Sequence, residues 1–409
     1  MKKFLIGISI IVLLSGCFKK KDINLKLYNI RPDITSSLEK TVNLFNEKNK
    51  NITITINDIR NDAMNILDAN FRSNEAADIL MIPSYTYLHK YAENGVLEDL
   101  SKTSFAKKIP QSIQSGIISN NKIYGFPLNM SVFGIIYNEA IFEQHKITPP
   151  QNRKDLMTLC DTLKNNSISP FDSFAKQKSI LNVLFAMGHS STMDINQFEW
   201  LEAMNAGNGS FKTGRIDGFF DSIDGIQKFL TIDNSETNKT AYTNFIEGNT
   251  AMIFENGRFY NQIKKRHPSI RMGIFPLPVS EDNDSKLFTD IEAVLSINSK
   301  KGVDKIKAAK KYIEFLATKQ CQDILYEEAR FVTPFYTESN SNSDNFHNQI
   351  AQYLQADKTV PYSYKLWSPS VFENSRDSMY HYVTGEKDMA GLLQNLDEIW
   401  KKFNQIEFK

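Results

Sequence analysis

Few residues in this chain are spaced for catalysis. The six histidines, His89, His145, His189, His267, His347 and His381, stand far apart, with no His-x-x-x-His pair and no Cys-x-x-Cys. The ligand spacing that holds zinc is therefore missing. Gly-x-Ser-x-Gly, the P-loop and Gly-x-Gly-x-x-Gly are also absent; Ala206-Gly207-Asn208-Gly209-Ser210 is superficially like a phosphate loop but lacks the following Lys-Ser/Thr and a preceding strand, so it reads as a turn. Carboxylate pairs such as Asp290 and Glu292 lie two residues apart, which on a strand puts both on one face. That geometry suits acid–base work, but ion pairing or solvation is the commoner use. The acidic turn Ser280 to Ser285 lacks the glycine and terminal glutamate of a calcium loop and reads as a solvated surface turn. No catalytic residue, metal or cofactor is expected.

Composition sets the frame for these negatives. With 409 residues, 41% hydrophobic and 23% charged, the chain has ample material for two or three domain-sized cores. Lys and Arg number 48 against 47 Asp and Glu, a net charge of +1 that falls to about −1 if Lys2 and Lys3 are lost, so nothing argues for nucleic acid. Cys160 and Cys321 fall inside helical patterns and read as buried small hydrophobes, with a disulfide as the alternative.

Hydrophobic periodicity gives the elements. Ile23 to Ile30 alternates at period two, and after Pro32-Asp33 comes a helical stripe of Leu38, Val42 and Phe45. Strand, helix and strand repeat through Ile52 to Ile56, Met64 to Phe71 and the fully apolar Ile79 to Ile82, which implies a mainly parallel sheet covered on both faces. A second α/β region follows, with strands at Phe133 to Tyr137 and Ala251 to Phe254 and helices at Arg153 to Leu163 and Leu181 to Met187. Phe211 to Asp221 reads as a loop leading into a helix over Ile223 to Leu230, and the polar run Glu338 to Asp344 as a mobile surface connection.

The amino terminus carries a different signal. Phe4 to Leu14 is apolar but shorter than the roughly 20 residues that span a bilayer, and Lys2-Lys3 precede it, as in a secretory signal over residues 1–16. Leu14-Ser15-Gly16-Cys17 resembles the lipobox of bacterial lipoproteins, which implies acylation of Cys17 and a solvated tether over residues 17–22.

The order of further blocks is specific. Ala77-Asp78-Ile79-Leu80-Met81-Ile82-Pro83 is followed by Leu88-x-x-Tyr91-Ala92-x-x-Gly95-x-Leu97-x-Asp99-Leu100, then Lys122 to Pro127 and Gly134-Ile135-Ile136-Tyr137-Asn138. Phe245-x-x-Gly248-Asn249-Thr250-Ala251-Met252, Asn256-Gly257 and Pro276-Leu277-Pro278 complete the series. In this order they resemble the extracellular solute-binding proteins of sugar ABC transporters, the maltose-receptor type. The resemblance implies an α/β, two-lobed periplasmic-binding-protein fold with hinge crossings and a cleft. It would place residues 23–128 and 289–330 in an amino-terminal lobe and residues 129–288 and 331–409 in a carboxy-terminal lobe.

It also implies where solute binds. Sugar sites combine aromatic platforms with planar polar groups, because a buried hydroxyl left unpaired costs about 1–3 kcal/mol. On that basis the candidates are Asn29 and Arg31 after the first strand, Ser84, Tyr85 and Tyr87 after the buried strand, and Asn129 and Ser131 at the first crossing. Arg258 and Phe259 follow Asn256-Gly257, where relatives place a stacking tryptophan, so Phe259 is the candidate platform. Asp290 and Glu292 near the return crossing, and Trp367, complete the set. The expected protein is a monomeric, lipid-anchored, non-enzymatic receptor that closes on a small hydrophilic solute, most simply a carbohydrate, and delivers it to ABC permease subunits. A carbohydrate-active enzyme and a solute sensor on the same fold are the competing readings.

Overall fold

The computed structural model describes residues 22–171, 178–229, 238–330, 332–335 and 344–404. The signal segment, Cys17 and most of the polar run before Asp344 lie outside them. Eleven strands are found among the described residues: β1 Ile23–Asn29, β2 Ile52–Asp58, β3 Ile79–Ile82, β4 Ile118–Ser119, β5 Lys122–Ile123, β6 Phe126–Asn138, β7 Ser169–Phe171, β8 Thr250–Asn256, β9 Met272–Phe275, β10 Leu287–Ile297 and β11 Thr359–Val360. Nine form one sheet in the order β2-β1-β3-β10-β6-β8-β7, with β11 pairing β10 and β9 pairing β6.

At one end β1 pairs in parallel with β2 and β3, as alternating strands and helices require. The centre departs from the parallel expectation. β10 runs antiparallel to both β3 and β6, and β6 antiparallel to β8 and β9. Period-two patterning reports which faces are buried, not strand direction, and β6 and β10 are the long strands that connect the two halves. The first half of β6 pairs β10 and its second half pairs β8 and β9, so one strand belongs to both α/β units.

Helices cover the sheet where the sequence stripes put them. Thr35–Lys48 buries Leu38, Thr41, Val42 and Phe45, spaced as one helical face. Phe45 meets the Tyr312 ring edge-on at 5.2 Å. The helix expected from Ile223 begins earlier, at Ile216. Gly218 lies inside it, and a Cβ there would come 2.2 Å from the Val279 carbonyl oxygen, so this glycine serves close packing rather than a loop.

Two large apolar clusters result. One joins the β1–β3 end to helix Val303–Leu316 and continues along one face of β6; the other gathers Phe185, Trp200, Phe211, Trp367 and Trp400 on the opposite face. Cys321 belongs to the first and Cys160 to the second, both as free thiols. Burial pushes them up to about 11 and about 12, which leaves them unreactive at neutral pH. In the acidic turn, Glu281 pairs with Arg153 at 2.9 Å and Asp284 with Arg215 at 2.8 Å, so its charge is met by arginines. No helix among the described residues is long and apolar enough to cross a membrane.

Gly125, just before β6, marks the tightest approach to β10. A Cβ there would lie 2.0 Å from Val294 Cγ1, and Val294 is held by its β-branched rotamer in a full core. Gly125→Ala is expected to lower stability by about 1–3 kcal/mol. Urea unfolding of the variant checks this, and a loss near zero would mean that Val294 can turn aside.

Candidate ligand-binding cleft

The crossing strands form the floor of a cleft of about 1270 Å³. Its walls come from the turns after β1 and β3 on one side. On the other they come from the start of helix Gly257–Arg266 and the segment Tyr362 to Lys365.

A β-bulge sets its centre. Between Ile291 and Ala293 the pairing of β10 with β6 shifts register, which leaves Glu292 as the extra residue. Its carboxylate is shared. Oε2 accepts from Asn129 Nδ2 at 2.7 Å, while Oε1 accepts from Arg258 Nη2 at 2.5 Å and stands 2.9 Å from Arg31 Nη1. Burial pulls the Glu292 carboxyl up, but the hydrogen bond and charge of Arg258, the charge of Arg31 and the Asn129 amide hold it below its ordinary range. Arg31 is in turn gripped by Asp33, through Nε at 2.8 Å and Nη2 at 2.7 Å. That grip and the Glu292 charge raise its pKa against the effect of burial.

Seven expected residues line the cleft: Arg31, Ser84, Tyr87, Asn129, Ser131, Arg258 and Glu292. Five others are placed behind its wall. Asn29 is fully buried; its amide nitrogen lies within hydrogen-bond distance of Arg31 O, Thr35 Oγ1 and Asp58 Oδ1, and its Oδ1 accepts from the Arg31 amide at 2.9 Å. It shapes the turn that presents Arg31. Phe259 is 2% exposed and packs against Tyr242 and Phe245, with ring centroids 4.6 and 5.6 Å away, so it is no exposed platform. Asn256 caps the helix by accepting from the Arg258 amide at 2.8 Å. Successive residues then turn about 100°, so Arg258 faces the cleft and Phe259 the core. Trp367 is buried edge-on against Phe211, with centroids 5.2 Å apart.

Tyr85 and Asp290 form a buried pair beneath the floor. The Tyr85 hydroxyl donates to Asp290 Oδ1 at 3.0 Å, and Tyr85 takes a φ of +58°, where a bulky side chain is strained. Burial raises the Asp290 carboxyl; the nearby Lys365 ammonium, at 3.3 Å, and backbone amides offset part of this. Burial, then the Asp290 charge, keep the Tyr85 phenol neutral.

Among the lining residues not expected from the sequence are Tyr362, Tyr364 and Lys365. Lys365 Nζ donates to Ile291 O at 2.8 Å and lies 5.4 Å from the centre of the Tyr362 ring. The Tyr364 ring lies nearly parallel to Tyr362 at 5.4 Å and is backed by Phe372 at 5.1 Å. The only signal in the sequence is Tyr-x-Tyr-Lys two residues before Trp367, which drew attention to the wrong aromatic of that segment.

Comparison with known proteins gives this cleft its setting. Residues 40–355 match the bacterial extracellular solute-binding protein family, and residues 1–17 match the prokaryotic membrane lipoprotein lipid attachment site. The chain is 22% identical over 384 residues to the melibiose/raffinose/stachyose-binding protein MelE of Bacillus subtilis (strain 168), covering 90% of this chain and 88% of that protein. It is 20% identical over 337 residues to the multiple sugar-binding protein of Streptococcus mutans serotype c (strain ATCC 700610 / UA159), covering 77% and 78%. The apo form of RafE from Streptococcus pneumoniae shares the fold with a TM-score of 0.75 at 17% identity, over 93% of this chain and 97% of that one. A family match across most of the chain, on two α/β units joined by crossing strands, establishes that this chain belongs to the bacterial extracellular solute-binding proteins, held outside the cytoplasm by a lipoprotein attachment site.

Proposed function

We propose that the chain is the substrate-binding component of an ABC importer, and that its cleft captures a neutral saccharide for delivery to permease subunits. The observation that carries this reading is the pairing of charges about the crossing strands: Arg31 is met by Asp33 and Glu292, Arg258 by Glu292, and Lys365 by Asp290. A charged solute drawn to these groups would have to break one of the pairs, whereas hydroxyl groups can join them as both donors and acceptors; Arg330, which also lines the cleft, lies over the Tyr326 ring at 4.8 Å. The relatives support the same class, since MelE is named for melibiose, raffinose and stachyose. A cleft of about 1270 Å³ leaves room for more than one sugar ring.

The lobes divide at the crossings, with residues 23–128 and 289–330 on one side and 129–288 and 331–409 on the other. Closure about β6 and β10 buries the solute, as in hinge-bending receptors. The protein acts as a monomer, tied to the membrane by its lipid alone. It is a receptor and not an enzyme: a glycosidase needs two carboxyl groups facing one glycosidic bond, and Asp290, the carboxyl two residues from Glu292, is 0% exposed beneath the floor and engaged by Tyr85 and Lys365.

Thermal unfolding in the presence of melibiose, raffinose, stachyose, monosaccharides, polyols and amino acids tests the reading. A saccharide at a hundredfold excess over its dissociation constant should add about 2.7 kcal/mol of stability. A saturable rise with an amino acid and none with any saccharide would sink the proposal.

A further inference from the structure

Glu292 does more than neutralise charge: as an ionised carboxylate it can only accept hydrogen bonds. The side-chain atom of Asn129 that lies 2.7 Å from Glu292 Oε2 must therefore be the donor Nδ2, which fixes the amide's orientation. Its carbonyl, Oδ1, then faces away from Glu292. That atom is buried and finds no protein donor, although Asn129 is only 4% exposed and lines the cleft. Buried polar groups are rarely left unpaired, so an acceptor in this position marks where a donor arrives from outside the protein.

We propose that Asn129 Oδ1 reads one donated hydroxyl of the bound solute and that Glu292 acts as its positioning residue. The proposal rests on the saccharide reading and deepens it. The recognised group is a free hydroxyl on a neutral sugar; a deoxy position or a methyl ether there leaves the carbonyl unpaired and is rejected. The arrangement depends on the bulge, because Ala293, the residue after Glu292, is the one paired with Asn129. A regular ladder would turn the Glu292 side chain to the other face.

Titration calorimetry with melibiose, raffinose and their monodeoxy derivatives tests this. With the unaltered protein, one monodeoxy derivative should bind about tenfold to hundredfold more weakly than its parent. Asn129→Leu should bind that derivative and the parent equally. Glu292→Gln keeps the shape but can face Asn129 with either end of its amide, so it should narrow the same gap; it also serves as the test if Asn129→Leu does not fold. The full gap persisting in a folded Asn129→Leu, or in Glu292→Gln, would overturn the assignment while leaving the saccharide reading intact. No binding of either sugar or of any other saccharide to the unaltered protein would overturn both.

Discussion

Lys365→Met is expected to destabilise the protein by about 3–5 kcal/mol at neutral pH, the range for removing one partner of a buried ion pair. Asp290 is 0% exposed on the central strand β10, and Lys365 is the cation placed to answer it, 3.3 Å from Oδ2. The remaining partners, the Tyr85 hydroxyl at 3.0 Å and the amides of Ile291 at 2.7 Å and Tyr362 at 3.2 Å, are neutral dipoles. Methionine fills the space of the lysine stem but leaves the carboxylate without a counter-charge.

The sign of the pH dependence follows from the direction of the shift. Burial already holds the folded-state pKa of Asp290 above its ordinary value, so the folded protein binds the extra proton and stability falls as pH rises through the window between the two values. Removing Lys365 widens that window upward. The deficit relative to the unaltered protein should therefore be largest at pH 7 and shrink toward pH 4, and Asp290→Asn combined with Lys365→Met should recover most of it. Urea unfolding at both pH values measures this. A deficit independent of pH would assign the loss to packing and remove the ion pair from the account.

The same residues show how far the sequence could be read. Ile79 to Ile82 is legible as a buried central strand because an unbroken apolar run has few other uses, and the strand found has those bounds. Direction was not legible: β6 and β10 are buried on both faces, and nothing in such a run records whether its neighbours are parallel or antiparallel. In the cleft, turn residues after strands were well placed, since strand ends and the turns beyond them must meet at the crossing. Arg31, Ser84 and Tyr87 reach it for that reason. Side-chain direction within those turns was the weak step. Tyr85 lies between two lining residues yet points beneath the floor, because its φ of +58° reverses the expected course of the chain. Lys365 and the tyrosines beside it lie more than 200 residues from the crossing on β6, and only the tertiary fold brings them together.

Phe259 and Tyr364 separate the aromatic expected from sequence from the one that the fold presents. Phe259→Ala should cost about 3–5 kcal/mol of stability, as for other buried phenylalanines, because its ring fills the space between Tyr242 and Phe245. At temperatures well below unfolding it should leave saccharide affinity within about twofold. Tyr364→Ala should do the converse. Its half-buried ring is backed by Tyr362 and Phe372 and borders the cleft, so it offers an apolar face already ordered for a sugar ring. Losing that area and its ring contact should weaken binding by about tenfold to hundredfold, with a smaller loss of stability. The pre-ordering matters because a side chain already fixed in place gives up little rotamer freedom when solute binds. Urea midpoints and calorimetric affinities for both variants give four values whose pattern is diagnostic: a large affinity loss for Phe259→Ala alongside an unaffected Tyr364→Ala would return the platform to the helix start and reject the Tyr364 face.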